Sequence, residues 1–492
     1  MIKTADKPNR ESGTKSLNKD EQSTARNWNL DSRLVKIVTP IHLFFAFVLV
    51  GLAISAILGG PLSWDGSNYL FKILDKQSPY VPYGRLMNVV LHYPIILASN
   101  ITNNISVLQL LFNFIYVSIP LVALYLAWWM VKDYSKNLFI WPVLGIGLVT
   151  LLGQLFFVSE AIIAVQLFWT VFLGTLLRFP KQKVPVVVLV SAVIYFIHPF
   201  AILLFAIASM LCVALLLINK QSRLLYTTWA IAFTILSVTA FLRFTGAQNS
   251  YEYQQLSMDL LQTQFNTALA GWPFRVLELI WIVSIFVFAA PFLSRIKSRM
   301  RISITHALQI SLILVAGGLL VVWALDPYQW NKAFDYRAFP VFTSIPLMGL
   351  AFFESIIGKG QNLSLFWAKR SSIILLVGAI FFIVLSIQSF GWFNLSNQLR
   401  EALPANAKAC YSQNDIEWIA NSPIDHWSVT PYSLLLQGKE PHSIVVSKGI
   451  TCSESISSVG VVITHYNPDS QDIHKWNSSW FNLQRLKEIG KG

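Results

Sequence analysis

Two carboxylates occupy positions where a strongly apolar chain is expected to keep a charge only for a reason. Asp65 follows directly on the first long apolar segment, and Glu160 lies at a tight turn between two later ones. A charge at the edge of a hydrocarbon layer is costly and usually serves a function. Two such carboxylates can act as a general base and as a group that positions a reactant or a metal. Taken alone, Glu160 also fits an exposed turn residue without a function.

The loop that follows Asp65 contains a polar stripe. A helix that begins at Pro82 and runs to residue 98 would place Arg85, Asn88 and His92 on one face. Apolar side chains cover its other faces, so we expect the helix to lie along the membrane surface. The pattern is equally typical of a helix that lines a site and of a purely structural interfacial helix.

Cationic side chains recur in the segments between apolar runs. Such groups can hold a phosphate, and an arginine does so through two parallel hydrogen bonds. His198 precedes a proline within the apolar block 184–218, and its alternative role is to cap backbone groups. Aromatic residues around some of these cations are also typical of a membrane-interface belt. The candidates beyond the first loop are His198, Arg243, Arg275, Lys332 and Arg337.

Composition defines the class of protein that must position these groups. Of the 492 residues, 54% are hydrophobic and only 12% are charged, with a mean hydropathy of +0.55. A soluble domain carries roughly twice that charged fraction, so the composition predicts a polytopic membrane protein. The net charge of +13 is explained by basic residues that collect in cytoplasmic loops. No basic and aromatic module indicates nucleic-acid binding.

The distribution of apolar segments and basic loops predicts a mainly α transmembrane bundle of about eleven spans, with the N-terminus inside and the C-terminus outside. The block 184–218 is too long for one span and is divided at His198-Pro199. In this topology all acids between residues 37 and 391 except Asp133 and Glu354 lie on or near the outer face. The predicted spans are 37–58, 107–130, 138–158, 160–177, two within 184–218, 224–244, 276–294, 304–324, 338–357 and 371–391.

The same pattern divides the chain into three parts. Residues 1–36 are expected to form a disordered cytoplasmic tail, and residues 392–492 a small α/β domain outside the membrane. Within that domain, Cys410 and Cys452 can form a disulfide in an oxidising compartment, or remain two thiols. Residues 37–391, between the tail and the C-terminal domain, are the predicted transmembrane bundle, with outer loops at 59–106, 245–275 and 325–337.

This layout resembles the GT-C class of integral-membrane glycosyltransferases, which use polyprenyl-phosphate-linked sugars as donors. In that class an essential acid follows the first span, amphipathic helices lie in the first outer loop, and a second acid often lies between spans three and four. Asp65 matches the first acid, Glu160 the second, and segment 82–98 the amphipathic helix. Some members carry a paired acid where this chain has Gly66, so the resemblance leaves a divalent metal open.

The resemblance implies transfer of a sugar from a polyprenyl-phosphate-linked donor to a glycan, lipid or protein acceptor at the outer face. Asp65 would take the acceptor's proton, and Glu160 would position the acceptor or a metal. We expect the bacterial inner membrane as the location. The residues that would bind the substrate or the lipid phosphate are Arg85, His92, His198, Arg243, Arg275, Lys332 and Arg337.

Other functions remain open at this point. A transporter or flippase for a lipid-linked or anionic solute would place charges at mid-membrane depth in broken helices, and only the break at 198–199 fits that pattern. A polysaccharide polymerase or ligase would also use a lipid carrier and arginine-rich outer loops. A scaffold that binds a partner through its outer tail would not need the loop charges to converge.

Overall fold

The computed structural model shows a mainly helical chain. It describes residues 39–134, 136–148, 157–218, 222–245, 363–403, 410–412, 428–446, 461–464, 467–472 and 479–481, together with residues 416 and 477 and most of 344–355. The predicted tail 1–36 and the predicted spans 276–294 and 304–324 lie outside the described residues. Of the predicted span 338–357, only residues between 344 and 355 are described.

Long helices form the bulk of the described chain. In chain order they are α1 (Pro40–Ile57), α2 (Asp65–Lys76), α3 (Met87–Ser99), α4 (Ile105–Val131), α5 (Glu160–Leu176), α6 (Val184–Ile197), α7 (Ala201–Ile218), α8 (Arg223–Thr245), α9 (Leu363–Ala402) and α10 (Val429–Gln437). Short 3-10 turns lie at Gly60–Leu62, Pro82–Gly84, Lys136–Phe139 and Lys181–Lys183.

Five of these helices are long and apolar enough to cross a membrane: α1, α4, α7, α8 and the Ser371–Ala402 part of α9. They coincide with predicted spans. Helix α5 is apolar but has only 17 residues, and every one of them is buried. The chain is therefore a helical protein with the features of a multi-pass membrane protein, built around a buried central helix.

Two predicted helices differ in the structure. The predicted span 138–158 begins instead as short helical segments, Ile140–Pro142 and the π-helical Val143–Leu148, because Pro142 and two glycines weaken a regular α-helix. The helix predicted from Pro82 begins only at Met87. Gly84 has a φ of +74°, which is incompatible with a continuous right-handed helix.

The apolar block 184–218 consists of two helices, as its length and its His-Pro pair predict. α6 ends at Ile197, and His198 adopts an extended backbone with φ −158° and ψ 148°. Pro199 disfavours helical geometry in the residue before it, which explains the break at this point. α7 then begins at Ala201.

A buried lysine fixes the C-terminal end of α4. The Lys183 ammonium donates to the carbonyl oxygens of Trp129 (2.6 Å) and Met130 (3.1 Å) and pairs with Asp133 at 3.1 Å. A cation at a helix C-terminus satisfies carbonyl groups that have no partner within the helix. Lys183 therefore joins the segment before α6 to the last turn of α4.

The described C-terminal residues form α10 and two small two-stranded sheets. Strand β1 (Cys410–Ser412) pairs in parallel with β2 (Ile444–Val446), and β3 (Val461–Thr464) pairs antiparallel with β4 (Asn467–Asp472). α9 continues without a break to Ala402, so the predicted boundary at residue 392 falls inside a helix. Cys410 is disulfide-bonded and Cys212 is a buried free thiol. Cys452, the remaining cysteine, lies outside the described residues.

Helices α1 and α9 approach closely because glycines lie at their contact. A Cβ atom at Gly378 would lie 2.8 Å from the Phe44 ring and 3.3 Å from the Phe44 Cα, and one at Gly51 would lie 3.3 Å from the Phe382 Cα. Small residues that allow such backbone approach are typical of packed membrane helices.

We predict that Gly378→Ala destabilises the protein by about 1–3 kcal/mol, because the added methyl group overpacks the α1–α9 contact. Gly391→Ala, in the same helix, is the matched control, since a Cβ there meets no atom within 4 Å. Thermal unfolding of the purified protein in detergent should show a lower Tm for Gly378→Ala and an equal or higher Tm for Gly391→Ala. Equal Tm values for both variants would contradict this packing.

Candidate functional site

The backbone that presents Asp65 is strained. Trp64 has φ +53° and ψ −124°, and the Gly66 N–H donates to the Ser63 carbonyl at 3.1 Å. These features define a tight turn over residues 63–66 whose second position normally requires glycine. A bulky residue in that conformation costs roughly 1–3 kcal/mol and persists only where the surroundings impose it. Buried Trp64 therefore holds Asp65 in one orientation.

Gly66 allows this turn to pack on the preceding segment. A Cβ at Gly66 would lie 1.7 Å from the Pro61 carbonyl oxygen and 3.1 Å from Val158. The first of these is a backbone atom, so no side chain fits without displacing the turn. A paired acid after Asp65, as in some GT-C enzymes, is thus excluded by packing.

Asp65 is half-buried at the first residue of α2. The positive end of the helix dipole stabilises a carboxylate there. Tyr69 lies one turn further along the same face. Burial raises the pKa of the Tyr69 hydroxyl well above its ordinary value, and the negative charges of Glu160 and Asp65 raise it further. Tyr69 is therefore a neutral hydrogen-bond donor beside two acids.

The second predicted acid is the centre of a buried group that we call the carboxylate cluster, formed by Tyr69, Arg85, Asn88 and Glu160. Glu160 Oε1 accepts from the Tyr69 hydroxyl at 2.6 Å and from Asn88 Nδ2 at 3.0 Å, and its Oε2 pairs with Arg85 Nη1 at 2.9 Å. The side chains of Arg85 and Glu160 are only 11% and 4% exposed. A guanidinium and two neutral donors hold Glu160 as a carboxylate.

The cluster joins three helices and the short link that precedes one of them. Tyr69 comes from α2, Asn88 from α3, and Glu160 is the first residue of α5. Arg85 belongs to the short link between the turn Pro82–Gly84 and α3. Glu160 thus ties the first loop to the buried central helix. Because Glu160 is bonded to these fixed partners, it is not an exposed turn residue.

A histidine and a second tyrosine extend the cluster inward. His92 Nε2 and the Tyr116 hydroxyl share a hydrogen bond of 2.9 Å, and the Tyr69 ring meets the His92 ring edge-on at 5.8 Å. His92 and Tyr116 are almost fully buried. Burial lowers the pKa of His92 to about 4, against opposing effects of the Glu160 charge and the Tyr80 backbone. His92 is therefore neutral at physiological pH.

A second arginine lies beside this loop. Arg243, in the last turn of α8, donates to the carbonyls of Gly84 (2.6 Å) and Tyr195 (3.1 Å). Its guanidinium also lies 4.8 Å from the centre of the Phe196 ring. Gly84 directly precedes Arg85, so the two arginines flank one peptide segment. His198, at the end of α6, accepts a hydrogen bond on Nδ1 from the Phe200 N–H at 3.1 Å.

The structure brings part of the predicted set together. Asp65, Arg85, His92 and Glu160 lie around Tyr69, and Arg243 adjoins them through Gly84. Arg85 is engaged with Glu160 and His92 with Tyr116, rather than standing open to solvent. His198 makes the capping contact that the sequence allowed. The predicted residues Arg275, Lys332 and Arg337 lie outside the described part of the chain.

Sequence reasoning missed two members of the site. Tyr69 lies four residues after Asp65 on a helix, so its spacing was a usable signal. Tyr116 comes from α4, the second apolar segment, and nothing in a single sequence connects it with His92. Asn88 was assigned to the correct face but not to Glu160.

The carboxylate cluster does not fit a divalent metal. Both oxygens of Glu160 already accept hydrogen bonds, and one of them faces a guanidinium. Among the described residues, no group of three or more His, Cys, Asp and Glu side chains is arranged to hold a metal ion. Glu160 is instead suited to fixing the loop that carries Arg85.

Comparisons of the chain with protein-family models, with curated proteins and with solved structures found no match in any of the three. Function is therefore inferred from the residues and contacts described above. Chemically, they provide a half-buried carboxylate in a rigid turn, next to a buried network of fixed charge.

We predict that Glu160→Gln destabilises the protein by about 3–5 kcal/mol, because the Arg85 charge is left buried without its partner. Asp133→Asn is the matched control. It makes the same chemical change in an ion pair whose acid is 57% exposed and whose buried lysine keeps two carbonyl acceptors, so the expected cost is about 1 kcal/mol or less. Unfolding of the two purified variants measures the difference, and similar losses would contradict the buried pair.

The pKa of His92 predicts a pH dependence of stability. Between about pH 4 and pH 6.5 the ring is neutral in the folded protein and protonated in the unfolded chain, so the unfolded state binds more protons. Stability should therefore fall by about 3 kcal/mol as the pH falls through this range. His92→Gln, which cannot titrate, should show a shallower decline in the same unfolding measurement. Parallel curves for the two proteins would show that His92 is protonated in the fold.

Proposed function

We propose that the protein transfers a sugar from a polyprenyl-phosphate-linked donor to an acceptor at the outer face of a membrane. The observation that carries this proposal is the position of Asp65. It is held in a strained, glycine-packed turn at the start of α2, one helical turn from Tyr69 and its bond to Glu160. Strained backbone around a single acid is typical of functional sites.

Asp65 acts as the general base in this proposal. The carboxylate takes the proton of an acceptor hydroxyl while the hydroxyl oxygen forms a bond to the anomeric carbon of the sugar. The bond between that carbon and the lipid phosphate breaks, and the phosphate leaves with the electron pair. Asp65 is suited to this step because its carboxyl group is half-buried and is presented by a rigid turn at the start of α2.

Glu160 has a supporting role. Its bonds to Tyr69, Arg85 and Asn88 make it the residue that fixes the walls of the site, rather than a second base. Arg243 is the best placed candidate to stabilise the departing phosphate, since its guanidinium is anchored by two carbonyls beside Arg85. A fixed cation near developing negative charge contributes to rate without reorganising.

Two features support the proposed location. Five membrane-length helices support a multi-pass protein. The disulfide at Cys410 supports an oxidising compartment for the C-terminal residues, which is the outer side in the eleven-span topology. We propose the bacterial inner membrane as the site of action. The acceptor is a glycan, a lipid or a protein.

A transporter or flippase is the second candidate, favoured by the helix break between α6 and α7. The distribution of charge favours the transferase instead. Helices α1, α4 and α7 contain no Asp, Glu, Lys or Arg, and α8 has Arg223 and Arg243 only in its first and last turns. A substrate site at the bilayer midplane would need polar groups there.

We predict that Asp65→Asn lowers transfer by about 10²–10⁴-fold, the range that a positioned general base contributes. Cells that lack the protein should accumulate a lipid-linked sugar and lose a glycan product, as measured by mass spectrometry of both pools. Wild-type protein should restore the pools, whereas Asp65→Asn at equal abundance should not. Asp133→Asn, just after the C-terminal end of α4, is the control that should restore both pools.

Two results would contradict the proposal. Restoration of both pools by Asp65→Asn would show that this residue is not the base. Accumulation of the donor in the inner leaflet only, tested with a membrane-impermeant reagent, would favour the flippase.

A further inference from the structure

Helix α2 presents two opposite faces to the rest of the protein. Asp65 and Tyr69 are four residues apart and share the face that meets Glu160. Ser67, Phe71 and Asp75 also follow one another at four-residue spacing, and they share the opposite face. All three of these side chains are buried. Something outside the bundle must therefore cover this second face.

The cover is formed by the C-terminal residues. The Ser67 hydroxyl shares its proton between the Ser428 carbonyl at 3.4 Å and the Trp64 carbonyl at 3.3 Å. The Phe71 ring lies 4.9 Å from the Phe481 ring, and Asp75 Oδ1 accepts from the Asn477 N–H at 3.0 Å. Each turn of the α2 face thus has one partner. We call the residues 428–446, 477 and 479–481 the C-terminal brace.

The C-terminal brace is itself anchored to two long helices. Gln109 of α4 donates to the Leu435 carbonyl at 2.9 Å. Tyr432 and Ser396 of α9 share a buried hydrogen bond, and the His442 ring contacts the Leu403 carbonyl at 2.7 Å, just after α9 ends. The brace therefore connects α2 with the membrane-length helices α4 and α9.

Helix α2 depends on such support. It has 12 residues, which is marginal for a helix in isolation, and it begins directly after the strained Trp64. Its N-terminal end is fixed by the turn and the Glu160 bond, whereas Asp75 near its C-terminal end is bound to Asn477. Movement of the C-terminal end would tilt the helix that carries Asp65.

We infer that the C-terminal brace is part of the catalytic apparatus, and that Asp75, Phe71 and Ser67 are positioning residues that set the orientation of Asp65 through α2. This inference rests on the proposed transfer for its catalytic consequence. The contacts with α2 themselves do not depend on which reaction the site performs.

The experiment compares two substitutions of Asp75 in the full-length protein. Asp75→Ala removes the acceptor of the Asn477 N–H, whereas Asp75→Asn keeps a side-chain oxygen at the same place. In hydrogen–deuterium exchange, Asp75→Ala should increase exchange of the α2 amides and of residues 477 and 479–481 by about 10-fold or more. The pools of lipid-linked sugar and glycan should shift toward those of Asp65→Asn. Asp75→Asn should resemble wild type in both measurements.

Ser67→Ala is a milder second variant, in case Asp75→Ala fails to fold. It removes the bond to the Ser428 carbonyl and should raise exchange of α2 and of residues 428–437 to a smaller extent. Unchanged exchange of α2 in both alanine variants would overturn the inference. Equal effects of Asp75→Asn and Asp75→Ala would also overturn it, because the hydrogen bond would then not be the cause.

The two proposals fail in different ways. If α2 loosens as expected but neither Asp75→Ala nor Asp65→Asn alters the lipid-linked sugar pools, the proposed transfer is wrong while the brace remains as structure. If Asp65→Asn alters the pools and Asp75→Ala loosens α2 without altering them, the positioning role is wrong and the transfer stands.

Discussion

The buried pair of Glu160 and Arg85 is the interaction on which the described site depends. Taking two charges out of water is costly, and the cost is recovered only when geometry is good and the remaining oxygens are bonded. Here Arg85 Nη1 lies 2.9 Å from Oε2, and Tyr69 and Asn88 satisfy Oε1. The pair therefore requires α2, α3 and α5 to meet in one arrangement. Loss of either side chain thus affects the packing of all three helices.

That requirement explains how Asp65, the first residue of α2, is held in one orientation. Asp65 is not a member of this pair. Its helix α2 is held on one face by the Tyr69–Glu160 hydrogen bond and on the other by contacts with residues 428, 477 and 481. The turn before it stores strain at Trp64, and Gly66 removes the side chain that would prevent close packing. These contacts hold Asp65 in one orientation at the start of α2.

Much of the frame follows from local sequence patterns. Apolar length predicts the positions of α1, α4, α8 and α9, and the His198-Pro199 pair predicts the break between α6 and α7. The shared face of Asn88 and His92 follows from helical periodicity. These features depend on neighbours within a few residues, which is the range that a single sequence reports.

The contacts that build the site are of another kind. Arg85 and Glu160 are 75 residues apart, and Asp75 meets a residue 402 positions later. Sequence periodicity carries no information about such pairs. The start of α3 at Met87 was missed because the positive φ of Gly84 is set by the fold. The position of residue 392 inside α9 was missed because polarity changes before the helix ends.

A double-mutant cycle between Glu160 and Arg85 tests the central claim most directly. Unfolding free energies would be measured for Glu160→Leu, Arg85→Met and the double variant, each as purified full-length protein. If the two groups form the buried pair, each single change leaves one charge unpaired, and the double variant is more stable than the sum of the single losses by about 2 kcal/mol or more. Additive losses would contradict the account, because they would mean that the two side chains do not interact.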